Sequence, residues 1–354
     1  MKLIVEAPLN QLSFGNVSFN FLREFFKAGI EIAYFPIGNI DLTSFKVPNQ
    51  FVDWLNHSMN HRHDALNKDL TTLKLWHLNG SDQLRSRRQY LLTFYECNSP
   101  TNIEKNIAKM QDKTFFSSEF AKDQFDGSDT FSLGLDEDFH ATEKKYMQDV
   151  IHFGLCGKFE KRKHTEKIIK TWLKKYGNNN KYLLSCCITN PFFKPEDMQK
   201  IIANLTEGKH YSNINFLPWL KSNTEVNDFL NAIDIDLTGL SGGEGWNLPA
   251  FNATALGKWS IVLNGTAHKE WASEDNSILV QPNGEESVQD GVFFKENDSF
   301  NQGTFLTFDE NELISAMEKS ETLAGQFNMC GSIMGQKFTY KKSLDEILSK
   351  IQLA

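Results

Sequence analysis

Several things this chain lacks narrow what it can be. No window approaches about 18 uncharged apolar residues, so no transmembrane segment is expected. Its five cysteines include no CxxC or other metal-ligand spacing, which argues against a zinc module. An odd cysteine count in a long chain also argues against a disulfide scaffold and fits a reducing cytoplasm. Cys156, Cys186 and Cys187 sit in apolar runs and are expected as buried thiols. Arginine is scarce and the net charge is -8, which argues against wrapping a nucleic-acid backbone. The segment Met1–Ala7 turns acidic too early for a signal peptide and reads as a first buried strand. No internal repeat is visible.

What remains is a soluble globular composition over 354 residues, enough for two domains. Leu3–Val5 is an apolar run, followed by a loop over Pro8–Asn16, a helix over Val17–Ala28, Gly29, and a strand over Ile30–Phe35. That is a βαβ opening with parallel strands. Strands are predicted over Thr72–Leu78, Tyr90–Tyr95 and Lys113–Ser117, and a helix over Ile103–Met110. Ser118 is placed to cap a helix over Glu119–Phe125, and Gly127–Asp138 is expected to carry the last strand of this half.

The pattern then restarts. Strands are predicted at Ile151–Cys156, Tyr182–Ile188, Ile214–Leu217, Ile233–Thr238 and Trp259–Leu263. Helices are predicted at Lys163–Tyr176, Pro195–Leu205, Glu225–Asn231, Phe251–Leu256, Asn311–Ser320 and Ser343–Ile351. The expected architecture is α/β: two Rossmann-like doubly wound parallel-sheet domains facing across a cleft. The first spans residues 1–148 and the second 149–335. A C-terminal helix, 336–354, is expected to pack back toward the first.

Chemistry concentrates in a few stretches. Gly242-Gly243-Glu244-Gly245-Trp246-Asn247-Leu248-Pro249 reads as a flexible, backbone-exposing turn before a helix. Pro249 at the helix start gives up no hydrogen bond, and free N–H groups there attract phosphate oxygens. Glu244 sits in the flexible part, where a buried structural role is unexpected. Beside a diphosphate it would be repelled, so it is expected to face sugar hydroxyls or developing positive charge. The plainer alternative is an ordinary turn before a helix.

Gly157-Lys158-Phe159-Glu160-Lys161-Arg162-Lys163-His164 follows a predicted strand end. Lys158 and Lys163 are placed to clamp a leaving diphosphate; the alternative is a solvated basic helix start, which the helix dipole disfavours. Gly15-Asn16, in the loop after the first strand, lacks the GxGxxG fingerprint. His77 and Glu96 each fall at the C-terminal end of a predicted strand. His268 and Glu270 lie on another sheet-edge loop, Asn264–Trp271. His57, His61 and His63 are expected at the surface.

In this order the motifs resemble the two-domain GT-B glycosyltransferases, specifically the retaining family 4-like group, over nearly the whole chain. Ser13-Phe14-Gly15-Asn16 is similar to that family's glycine loop. Ser117-Ser118-Glu119-Phe120 with Leu133-Gly134-Leu135-Asp136 resembles its segment before the linker. Gly157-Lys158 with Lys163 resembles its diphosphate clamp, with Lys158 where arginine is usual. Glu244–Pro249 resembles its Glu-Gly-Phe-Gly-Leu-Pro. The family's second glutamate, which holds the ribose, is replaced here by Asn252. Glu96 falls near the place of a family histidine.

The resemblance implies transfer of a hexose, glucose or mannose, from a nucleotide diphosphate sugar (UDP-glucose or GDP-mannose) to an acceptor hydroxyl, with retention of configuration. It implies no tightly bound cofactor and no metal. The implied donor contacts are Gly15, Asn16, Gly157, Lys158, Lys163, Gly245, Trp246, Asn247, Leu248 and Asn252; the implied catalytic groups are Glu244, Lys163, Lys158, His77 and Glu96. The partners are the nucleotide sugar and an acceptor the sequence does not name. Two other outcomes stay open: a nucleotide-sugar-binding relative impaired in catalysis, and a nucleotide-sugar epimerase of the same fold.

Overall fold

The computed structural model describes residues 3–67, 69–144 and 148–351. Met1 and Lys2, at the head of the expected first strand, lie outside the described residues, as do residues 145–147 beside the expected boundary at 148.

The chain forms two compact units. The first holds the described residues through Asp138, with Asn297–Gln302 and the segment from Phe338 onward. Its elements begin with β1 (Leu3–Ala7), α1 (Ser13–Lys27), β2 (Ile32–Pro36), α2 (Asn49–Asn60), β3 (Thr72–Leu75) and β4 (Gln89–Thr93). They continue with α3 (Asn102–Met110), β5 (Lys113–Phe116), α4 (Glu119–Lys122) and β6 (Asp129–Thr130). The sheet order is β2-β1-β3-β4-β5-β6, every pair parallel. Strand β4 is buried along its length and β1 everywhere but at Glu6, as parallel strands covered on both faces require. Phenylalanine fills much of this core: Phe19, Phe25, Phe51, Phe115, Phe116 and Phe131 are fully buried.

The second unit starts with β7 (Ile151–Cys156), α5 (Thr165–Tyr176), β8 (Tyr182–Cys187), α6 (Pro195–Leu205), β9 (Ile214–Phe216) and α7 (Asn223–Ala232). Next come β10 (Ile235–Asp236), α8 (Leu248–Ala255), β11 (Trp259–Leu263), β12 (Ser277–Val280), β13 (Pro282–Ser287) and β14 (Thr304–Phe308). It ends with α9 (Glu310–Glu321) and α10 (Met329–Lys337). The parallel sheet runs β12-β11-β10-β7-β8-β9, the order of a Rossmann sheet, and β13 with β14 forms a separate antiparallel ribbon. Its core joins Phe153, Leu155, Leu184 and Cys186 to the inner face of α5, where Ile168, Ile169, Trp172 and Tyr176 repeat at helical spacing.

The last helix, α11 (Tyr340–Lys350), packs on α1 in the first unit. The Tyr340 ring meets Phe21 edge-on at 5.4 Å, and Ser343 Oγ donates to the Ser132 carbonyl at 2.5 Å.

Several sequence expectations change here. Helix α1 starts at Ser13, so Gly15 and Asn16 lie in its first turn rather than in a loop. Gly15 is helical and still necessary: a Cβ there would stand 2.3 Å from the Asn10 carbonyl oxygen. The expected strand Ile233–Thr238 shrinks to β10, because Thr238–Leu240 turns into a 3-10 helix. Lys163 is not in α5; it closes a 3-10 turn, Lys161–Lys163, ahead of it. Among the thiols expected buried, Cys186 is buried, while Cys156 and Cys187 are partly exposed.

Candidate functional site

The second sheet reverses its winding between β7 and β10. Open α/β sheets bind ligands beyond the strand C-termini at such a switch point. Two loops leave the sheet there, 157–164 after β7 and 237–247 after β10. They carry the two motifs that the sequence singles out.

The loops are joined by charge. Glu244 Oε1 lies 2.5 Å from Lys163 Nζ and 3.1 Å from Arg162 Nη1. Arg162 Nη2 lies 2.9 Å from Glu160 Oε2, and Lys158 Nζ 2.9 Å from Glu160 Oε1. Backbone contacts reinforce the union. Arg162 Nη1 donates to the Gly243 carbonyl at 2.5 Å, and the Gly242 N–H to the Arg162 carbonyl at 2.8 Å. The Leu306 N–H of β14 donates to the Gly242 carbonyl at 2.9 Å. A Cβ on Gly242 would stand 2.1 Å from the Leu306 carbonyl oxygen.

This corrects two expectations. The glycine motif is not a flexible, exposed turn: Ser241 through Asn247 are all buried. Glycine is needed at Gly242 because three backbone segments meet at van der Waals distance. Glu244 is not a carboxylate in a mobile loop; it is 5% exposed and ion-paired. Burial pushes its carboxyl up, but the Lys163 and Arg162 charges outweigh that and hold it well below the usual carboxylate range. Glu160 behaves alike: burial raises it, and Arg162, Lys163 and Lys158 bring it below its ordinary value.

Asn247 caps α8 in a left-handed conformation, φ 69°. Its amide nitrogen lies 2.9 Å from both the Thr238 carbonyl and His268 Nε2. Since both amide hydrogens are thereby donated, Nε2 accepts. His268 Nδ1–H then donates to the Leu263 carbonyl at 3.0 Å, which makes the imidazole neutral. Burial pushes its pKa down to about 4, against the opposing pull of Glu244. Thr266 (φ 45°) and His164 (φ 53°) are also left-handed; His164 Nε2 lies 2.7 Å from the Leu306 carbonyl. Such strain collects where geometry is held for a ligand.

Leu248 and Pro249 open α8, with Gly245 and Trp246 buried just before it. The Trp246 carbonyl accepts from Trp271 Nε1 at 3.0 Å. Asn252 is one turn further along, 7% exposed. Asn247 Oδ1, Asn252 Oδ1 and Thr266 Oγ1 are buried with no hydrogen bond from the described residues. Each such atom left unpaired costs about 1–3 kcal/mol, and two of the three belong to α8 and its N-cap, Asn252 and Asn247, where a ligand hydrogen bond would relieve the cost.

Gly157 joins β7 to the basic loop, its N–H on the Cys187 carbonyl at 3.0 Å. Lys158 is less available than expected. Besides its pairing with Glu160, its ammonium lies 5.3 Å from the Phe192 ring centroid and 5.6 Å from that of Phe293. Glu160, Arg162 and the anchoring role of His268 were not foreseen. The one acidic residue set in the basic run Lys158–Lys163 and the polar loop Asn264–Trp271 were the available signals.

In the first unit, the switch point lies between β1 and β3. Phe14, at the start of α1, lies 4.1 Å from the His77 ring and 4.4 Å from the Phe94 ring, centroid to centroid. His77 is exposed, Glu96 and Asn16 are half-buried, and Gly15 is buried. The structure thus groups Phe14, Gly15, Asn16 and His77 at one sheet end, with Glu96 just beyond the neighbouring β4. Arg85 pairs with Glu6 at 2.6 Å and stacks on Phe35 at 4.1 Å. His57, His61 and His63 are exposed. Among the described residues no cluster of three or more His, Cys, Asp or Glu is arranged to hold a metal, and no helix is long and apolar enough to cross a membrane.

No protein-family model and no curated protein sequence matches the chain. Solved structures do. Sucrose-phosphate synthase from Thermosynechococcus elongatus superposes with a TM-score of 0.70 at 12% identity, over 99% of this chain and 98% of that one. The trehalose-6-phosphate synthase OtsA gives 0.68 at 11% identity, over 100% of both chains. Anabaena HepE, solved in complex with UDP and glucose, gives 0.63 at 12% identity, over 99% of this chain and 100% of that one. The fold is GT-B: two Rossmann-like units, each built on a parallel sheet.

Proposed function

We propose that this chain is a retaining glycosyltransferase, similar to the family 4-like group, that moves a hexose from a nucleotide diphosphate sugar to an acceptor hydroxyl. One observation carries the reading: Arg162, Lys163 and Glu244 are locked together on the loops at the β7–β10 switch point, and the Glu244 loop leads directly into α8. Lys158, Arg162 and Lys163 against Glu160 and Glu244 leave one positive charge in surplus. A departing diphosphate is attracted by that surplus and by the N–H groups opening α8. No metal is required for this neutralisation.

Glu244 holds the Lys163 ammonium in place, and two of its three N–H donors remain for phosphate oxygens. Asn252 Oδ1, buried and otherwise unbonded, accepts a hydrogen bond from a ribose hydroxyl. The departing phosphate takes the acceptor proton, so a strong enzyme base is not needed. His77 and Glu96 orient the acceptor. UDP is the favoured nucleotide, since HepE was solved with UDP and with UDP-glucose. The five free thiols fit a reducing compartment such as the cytoplasm.

The test is hydrolysis of UDP-glucose and GDP-mannose by the purified chain. Lys163→Ala is expected to lower turnover by about 10²–10³-fold, the usual loss for one charge-stabilising donor. Glu244→Ala, which releases the Lys163 ammonium, is expected to lower it by a similar factor. Unchanged turnover in both variants sinks the assignment. A second reading, a nucleotide-sugar-binding relative without transfer, is favoured by Asn252 and by the sequestered Lys158. Binding without turnover on any acceptor would select it.

A further inference from the structure

The register of the second sheet sets Cys156 opposite Cys187 as the last pair of β7 and β8. Paired residues of a parallel ladder present their side chains to the same face. Leu155 and Cys186, the preceding residues, enter the core beneath α5. Cys156 and Cys187 therefore project from the opposite face, and both are partly exposed. They are close enough for a side-chain hydrogen bond, which with burial pushes the Cys187 thiol far up. Adjacent strands lie about 4.8 Å apart, inside the roughly 4.4–6.8 Å between Cα atoms that a disulfide spans. Cys186, by contrast, is fully buried with its thiol pushed up by burial, and Cys97 is buried in the first unit.

We propose that Cys156 and Cys187 are a redox-active dithiol whose closure to a disulfide regulates the anion site at the ends of β7 and β10. The oxidant is a low-molecular-weight disulfide. The Cys156 thiolate attacks one of its sulfurs and releases one small thiol, leaving a mixed disulfide. Cys187 then loses its proton, attacks the Cys156 sulfur and releases the second small thiol. Two electrons pass from the two protein thiols to the small disulfide, and the two thiol protons end on the released thiols.

The consequence follows from what these residues hold. The Gly157 N–H is bonded to the Cys187 carbonyl, and the Phe159 N–H to the Ile188 carbonyl, both at 3.0 Å. The loop bearing Arg162 and Lys163 starts from this pair of bonds. A covalent S–S bond of about 2 Å in place of a non-bonded contact imposes its own geometry on the strand ends and so shifts the loop that leaves them. This effect on ligand binding rests on the proposed nucleotide-sugar site; disulfide formation does not.

The full chain is equilibrated with oxidised glutathione, quenched by alkylation and digested for mass spectrometry. The expected result is a linked Cys156–Cys187 peptide, with both cysteines shielded from alkylation and restored by reductant. Cys187→Ser, or Cys187→Ala should the serine variant fold poorly, is expected to trap glutathione on Cys156. The dithiol is refuted if both cysteines of the wild-type chain stay alkylatable, or if each carries its own glutathione. UDP titration by calorimetry reads the second half: the oxidised chain is expected to bind about tenfold more weakly than the reduced chain. Equal affinity in the two redox states overturns the regulation. Failure of the reduced chain to bind UDP overturns the nucleotide-sugar reading instead, while the peptide map still decides the disulfide.

Discussion

At the scale of single residues, His268 connects chemistry to stability. Its imidazole is buried and neutral, with a pKa pushed down to about 4 by burial while Glu244 pulls the other way. Unfolded, it binds a proton near pH 6.5. Between pH 6.5 and 4 the unfolded chain therefore binds more protons than the folded chain, and stability falls as pH falls. The loss is of the order of a few kcal/mol. Urea midpoints should decline over that window, and His268→Asn should show a shallower decline. Glu244 acts lower on the scale. Its folded pKa is depressed, so its contribution is present above its unfolded value and is lost as pH drops below about 4.5. Glu244→Gln should make that acid limb shallower, leaving the part that Glu160 contributes. Equal acid limbs in the two proteins would mean that the Lys163–Glu244 pair is not formed in solution. The motif around Glu244 was visible in sequence; its burial was not, because the partner Lys163 is 81 residues away along the chain.

At the scale of elements, legibility depended on how local the cause was. Strands β7 and β11 and helix α6 have the boundaries that apolar runs and the Pro195 start predict. Ser118 caps α4 as its sequence suggests, accepting from the Ala121 N–H at 3.3 Å. Helix α2 went unseen: its N-cap is Pro48, no side chain caps it, and only Phe51, Leu55 and Ser58 are buried. Helix α3 has a capping box, Thr101 with Glu104, and Glu104 takes further donors. Its carboxylate accepts from Tyr95 Oη at 3.1 Å and from the Asn301 N–H at 2.8 Å. Thr101→Ala should cost about 1 kcal/mol. Glu104→Ala should cost about 3 kcal/mol or more, since it strands three donors. Denaturant midpoints at constant m-value check both; equal costs would show that the long-range bonds add nothing.

For the whole molecule, two Rossmann-like units each bring loops to a switch point, and the useful measurement is binding to the intact chain. A ligand that binds only the folded state stabilises by about 2.7 kcal/mol at a hundredfold excess over its Kd. A thermal-shift screen should therefore find a nucleotide sugar that raises the midpoint, and Lys163→Ala should abolish the shift. No shift with any nucleotide diphosphate sugar would remove the donor assignment.

The sequence by itself determined the class of fold. Strand and helix periods, glycine stops and the restart after residue 150 are local signals, and each follows from burying one face of a short segment. It also marked the two loops that matter, because like charges and glycines in a row are visible without coordinates. Only the tertiary structure decided what those residues do. Glu244 became a buried anchor because the switch point brings Arg162 and Lys163 within hydrogen-bond reach. Cys156 and Cys187 became a pair because strand register, which no single segment encodes, set them side by side.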